Sequence, residues 1–79
     1  MQREKIILSD LDLNILFYLK EERFVKDIID EFNINYLTIK RHTNRLKEIN
    51  GYSETKFATL KKLKITKTGE EILNALKWI

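Results

Sequence analysis

The 79-residue sequence has no cysteine, no proline and only two glycines. Without cysteine there is no disulfide, no thiolate-bound zinc and no thiol nucleophile, and the expected compartment is a reducing one, the cytoplasm. Without proline, and with so little glycine, there is no linker or low-complexity composition, so the chain reads as regular structure almost throughout. Long apolar runs are missing too. None approaches the roughly 18–20 residues that span a bilayer, and MQREKIILSD has too short an apolar centre for a signal peptide, so neither membrane insertion nor secretion is expected. Histidine occurs once, as His42. With no thiol beside it, no glycine-rich phosphate loop and no metal-ligand spacing, the expectation is a protein that is not an enzyme and carries no metal or cofactor. The doublets Glu21-Glu22, Asp30-Glu31 and Glu70-Glu71 diverge on a helix and read as solvated charge.

What the chain does have is charge, unevenly placed. Residues 1–35 hold five Lys/Arg against eight Asp/Glu, whereas residues 36–67 hold nine against two, a local balance of +7 within a net +3. An acidic front followed by a basic middle is the footprint of a domain that turns one side toward a polyanion. At this length the chain supports one core and one domain, 1–79.

Periodicity supplies the elements. Ser9 with Asp12 three residues on forms a capping box, and Leu11, Ile15, Leu16 and Leu19 continue at helical spacing, which predicts a helix over 10–21. The KIIL before it reads as a short strand or extended arm. Val25, Ile28, Ile29 and Phe32 predict a short second helix. Asn33 suits the left-handed residue that ends it and Asn35 the N-cap of a third helix, 36–50, a spacing that describes a helix-turn-helix. On a wheel of about 100° per residue, Ile39, His42, Thr43, Leu46 and Ile49 gather on one side, opposite Leu37, Lys40, Arg41, Asn44 and Glu48. The outward set has the chemistry of a major-groove reader: Arg and Lys donate to guanine, Asn pairs with adenine, and Leu meets a thymine methyl.

From Tyr52 the period changes to two. Strands are predicted over 52–58 and 62–66, with a connection near Thr59 that has no Gly, Asn or Pro and so argues against a tight primed turn. Lys56, Lys61, Lys62 and Lys64 cluster there, suited to phosphates and equally to keeping a sheet edge from aggregating. Thr66 or Thr68 caps a last helix whose apolar face is Ile72, Leu73, Leu76 and Ile79. Trp78, beside that stripe, is expected to pack on a second copy rather than on the first helix.

FVKDIIDEFNINYLTIKRHTNRLKEINGY resembles the second helix, turn, recognition helix and start of the wing in MarR-like and ArsR-like transcription regulators. LKITKTGEEIL is similar to the last wing strand and the start of the C-terminal helix in the same proteins, a pattern shared with small archaeal and viral regulators. The resemblance runs from about Leu8 to Leu76. It implies an α+β, mostly α, winged helix-turn-helix fold: a three-helix core, a two-stranded hairpin wing and a C-terminal helix. It also implies sequence-specific binding of double-stranded DNA by a homodimer acting as a transcriptional regulator, most simply a repressor. By position it assigns base reading to Leu37, Thr38, Lys40, Arg41 and Asn44, and backbone contacts to Asn35, Tyr36, Arg45 and the four wing lysines. Leu73, Leu76, Trp78 and Ile79 become the dimer interface. MarR-like ligand pockets need longer terminal helices than this chain has, so no small-molecule effector is expected. Two other functions compete: a winged-helix adaptor between proteins, which has no need of so basic a middle, and nonspecific or architectural DNA binding, which has no use for Leu37 and Asn44.

Overall fold

The computed structural model describes residues 7–78. Within them the chain forms an α+β fold of seven elements: α1 (Asp10–Tyr18), β1 (Arg23–Phe24), α2 (Val25–Phe32), α3 (Tyr36–Glu48), β2 (Tyr52–Phe57), β3 (Leu60–Ile65) and α4 (Lys67–Ala75). The strands make one antiparallel sheet in the order β1-β3-β2. Ile79 and the first two residues of the KIIL segment lie outside the described residues; Ile7 and Leu8 are in no regular element.

α1 begins as its sequence dictates. Ser9 Oγ accepts from the Asp12 amide at 3.1 Å and the Asp12 carboxylate accepts from the Ser9 amide at 2.8 Å. It ends at Tyr18, short of the expected 21, because the Leu19 carbonyl is taken by the Ile65 amide at 2.8 Å and the chain turns into β1. β1 was not legible in the periodicity. Its two residues pair with Leu63 and Lys62 of β3, a contact that only the folded chain creates.

Three helices close on a left-handed residue, and none of the three is glycine. Asn33, Asn50 and Lys77 have φ of 52°, 56° and 55°. In α3 the Gly51 amide donates to the Leu46 carbonyl (2.8 Å) and the Asn50 amide to the Lys47 carbonyl (3.0 Å), the paired bonds of a Schellman closure. α4 repeats it: Trp78 N–H donates to Leu73 O at 2.8 Å and Lys77 N–H to Asn74 O at 3.1 Å. At α2 the Ile34 amide reaches Ile29 O (3.3 Å), which folds Ile34 back onto the core.

Leu13, Ile15, Leu16, Leu19, Ile28, Ile39, Leu46, Leu63, Ile65 and Leu73 form the buried core, drawn from all four helical segments and β3. α4 is fixed against the end of α3 by backbone as well as side chains. Thr66 donates its amide to Gly51 O (3.0 Å) and its hydroxyl to Asn50 O, while the same hydroxyl accepts from the Gly69 amide (3.0 Å). Gly69 lies so close to that junction that a Cβ there would stand 2.3 Å from Gly51 O.

The hairpin corrects one expectation. Phe57 pairs with Leu60 across a two-residue turn, Ala58–Thr59, so the connection is tight after all. Ala58 takes the positive φ of 57° that such a turn requires and that glycine usually supplies. α4 corrects another. Leu73 is 1 % exposed and belongs to the core, and Trp78, held by the helix closure, packs against the same core. Of the residues assigned to a dimer interface, only Leu76 stands largely exposed among those described.

Candidate nucleic-acid interface

α3 begins on Asn35, whose side chain accepts from the Thr38 amide at 2.8 Å. That bond occupies the Asn35 carbonyl oxygen, and Thr38 is half-buried. From there the helix shows three faces. Ile39 and Leu46 enter the core. His42 and Arg45 turn toward α1. Leu37, Lys40, Arg41, Asn44 and Glu48 are exposed, with Leu37 70 % accessible although it is fully apolar.

His42 was placed on the inward side of the wheel, but the link that it and Arg45 make to α1 was not foreseen. Asp12 is completely buried, and its Oδ1 meets His42 Nδ1 while its Oδ2 accepts from Arg45 Nε at 3.0 Å. An ionised carboxylate only accepts, so His42 Nδ1 carries the proton of that bond. Burial pushes the Asp12 pKa up, but the Ser9 amide, His42 and Arg45 together outweigh it and hold the carboxyl below its ordinary 3.8. This cluster sets the rotation of α3 on α1, and it changes the role of Arg45. The guanidinium expected on DNA phosphates is engaged with Asp12 instead. The signal that existed was the i, i+3 spacing of His42 and Arg45, which puts two cationic or protonatable groups on one face.

On the other flank, α3 and the hairpin enclose a cleft of about 450 Å³. Tyr36, Lys40, Thr43, Asn44 and Lys47 line it from α3, Tyr52, Glu54, Leu60 and Lys61 from the hairpin, and Phe24 and Lys26 from the β1–α2 junction. Four lysines against one glutamate make it a positive recess. Burial raises the Tyr52 phenol above its usual pKa, opposed by a hydrogen bond with Thr43 and reinforced by the charge of Glu54. Lys26, Lys47 and Tyr52 were not among the residues singled out by sequence, because the cleft exists only once β1 and the hairpin are in place.

The structure separates the expected residues. Lys40, Asn44, Tyr36 and Lys61 come together in the cleft, while Leu37 and Arg41 stand outside it on the exposed row of α3. The hairpin lysines divide. Lys56 and Lys61 are directly opposite in the register, a like-charge pairing that costs stability unless an anion lies against it. Lys62 is occupied internally: its ammonium lies 4.9 Å from the centre of the Phe24 ring and 3.7 Å from a Glu22 carboxylate oxygen. Lys64 is exposed opposite Ser53.

No helix among the described residues is long and apolar enough to cross a membrane. No protein-family model matches the sequence, and no curated protein matches it.

Proposed function

We propose that this protein is a winged helix-turn-helix transcriptional regulator that reads double-stranded DNA, with α3 in the major groove and the β2–β3 hairpin as its wing. One observation carries the reading. α3 presents Leu37, Lys40, Arg41 and Asn44 as an exposed row, of which Lys40 and Asn44 also line a recess with three further lysines. The element order and the β1-β3-β2 sheet support it as an architecture of this type.

In this arrangement Lys40 and Arg41 donate to guanine O6 and N7, Asn44 pairs with adenine, and Leu37 covers a thymine methyl. Lys26, Lys47, Lys56 and Lys61 meet phosphates and position the helix without carrying sequence information. Asp12, through His42 and Arg45, keeps α3 at one angle to the rest of the domain. No small-molecule effector enters this reading.

Selection from a random duplex library at two salt concentrations tests it. Enrichment of a defined motif supports base reading. If the motif is palindromic, the binding unit is a two-fold dimer with half-sites about one helical turn apart. Salt-sensitive binding that enriches no sequence would replace the reading with an architectural role, and no binding at low salt would replace it with a protein adaptor.

A further inference from the structure

The wing tip is built against its own stability. A two-residue hairpin turn is easiest with Asn-Gly or Gly first, yet the sequence here is Phe57-Ala58-Thr59-Leu60. Ala58 is left in the left-handed region at φ 57°. Phe57 and Leu60 face solvent at 66 % and 51 % exposure, paired directly across the strands. Where a local rule is broken without gain to the fold, function is the expected reason.

The surroundings of this apolar pair say what it meets. Lys56 and Lys61 form the next pair of the register, with their side chains on the opposite face of the ribbon, and the Lys62 ammonium, shared with Phe24 and Glu22, lies 5.6 Å from the Phe57 ring centre. Lysines gathered around a thin apolar tip complement a surface with anionic rims and an apolar interior, which is a minor groove opened at a base step. The dimensions agree. Paired strands stand about 4.8 Å apart before side chains are added, and the undistorted minor groove is only about 6 Å wide, so entry demands widening. Apolar side chains inserted between base pairs achieve that by unstacking a step and kinking the duplex by roughly 20–90°.

We infer that Phe57 and Leu60 form a minor-groove wedge that kinks DNA beside the major-groove site of α3. This rests on the DNA-binding reading and adds to it a mode of shape readout: flexible pyrimidine–purine steps at the wedge position are favoured although no hydrogen bond reads them. Ala58 holds the two side chains at the apex, and Lys56 and Lys61 pin the phosphates beside it.

The test uses the full chain and a duplex of roughly 30 base pairs carrying the selected motif, labelled at its ends for energy transfer and with 2-aminopurine at the steps flanking the motif. Anisotropy of the same duplex measures binding independently of bending. The wild-type protein is expected to shorten the end-to-end distance and to brighten 2-aminopurine at one flanking step. Phe57→Ser/Leu60→Ser, at two exposed positions, is expected to bind more weakly and, at saturating protein, to show neither effect and no preference for a pyrimidine–purine step. The exchange Phe57→Leu/Leu60→Phe keeps the apolar volume and is expected to retain the kink. Binding by wild type on a straight, stacked duplex would overturn the wedge and leave base reading by α3 intact. A kink unchanged in the double serine variant would likewise overturn it. No binding at all would overturn both.

Discussion

Asp12 is the residue on which sequence and structure differ most in meaning. Its position three after Ser9 identifies a helix cap, and that role holds; but the same carboxylate also gathers His42 and Arg45 from thirty residues away. No local pattern announces a contact of that range. The consequence is a pH dependence whose sign follows from the lowered pKa. The unfolded chain binds a proton near the ordinary 3.8 and the folded one only below it, so the stabilisation is complete above that value and is lost as pH falls through the native one. Asp12→Asn is expected to cost about 2–3 kcal/mol at neutral pH, below the range for fully buried pairs because Arg45 is partly open to solvent. Urea midpoints measured from neutral to acid pH should fall less steeply in the variant than in wild type. Ala58 offers a prediction of opposite sign: Ala58→Gly relieves the left-handed conformation and should raise stability by about 0.5–1 kcal/mol in the same assay.

Helix ends show how far sequence reasoning reaches at the level of elements. Asn33 and Asn35 were legible because asparagine tolerates the left-handed region and caps helix starts, so the turn before α3 could be placed; α3 itself, expected to run to 50, ends at Glu48 with Asn50 already left-handed. Lys77 was not legible. Lysine has no preference for positive φ, and without that bend Trp78 reads as a loose terminal aromatic in need of a partner, whereas it completes the closure of α4. β1 was invisible because two residues carry no period, and the lysine-lined cleft depends on it. Gly69 gives the sharpest elemental test. In an exposed helix Gly→Ala gains about 1 kcal/mol. Here the added Cβ would press on the backbone carbonyl of Gly51, and Gly69→Ala is expected to destabilise by about 1–3 kcal/mol, read as a lower thermal midpoint.

On the proposed DNA-reading function, the basic middle of the sequence becomes a division of labour across the whole molecule. The exposed row of α3 offers varied chemistry, suited to distinguishing bases, while the cleft and wing offer mostly lysine, suited to phosphates. Lys61→Ala should therefore weaken every duplex alike and reduce the slope of log affinity against log salt by about 1. Lys62→Ala is expected to affect stability more than binding, because its ammonium already serves Phe24 and Glu22. The most direct measurement is the affinity of wild type and Arg41→Ala for the selected duplex and for a shuffled duplex of the same composition, at one salt concentration. Base reading by α3 predicts a loss of about 1–3 kcal/mol for Arg41→Ala on the selected duplex, with discrimination relaxed at one base pair, and a much smaller loss on the shuffled one. Equal losses on the two would contradict it, because Arg41 would then be one more phosphate contact and α3 would not be reading sequence.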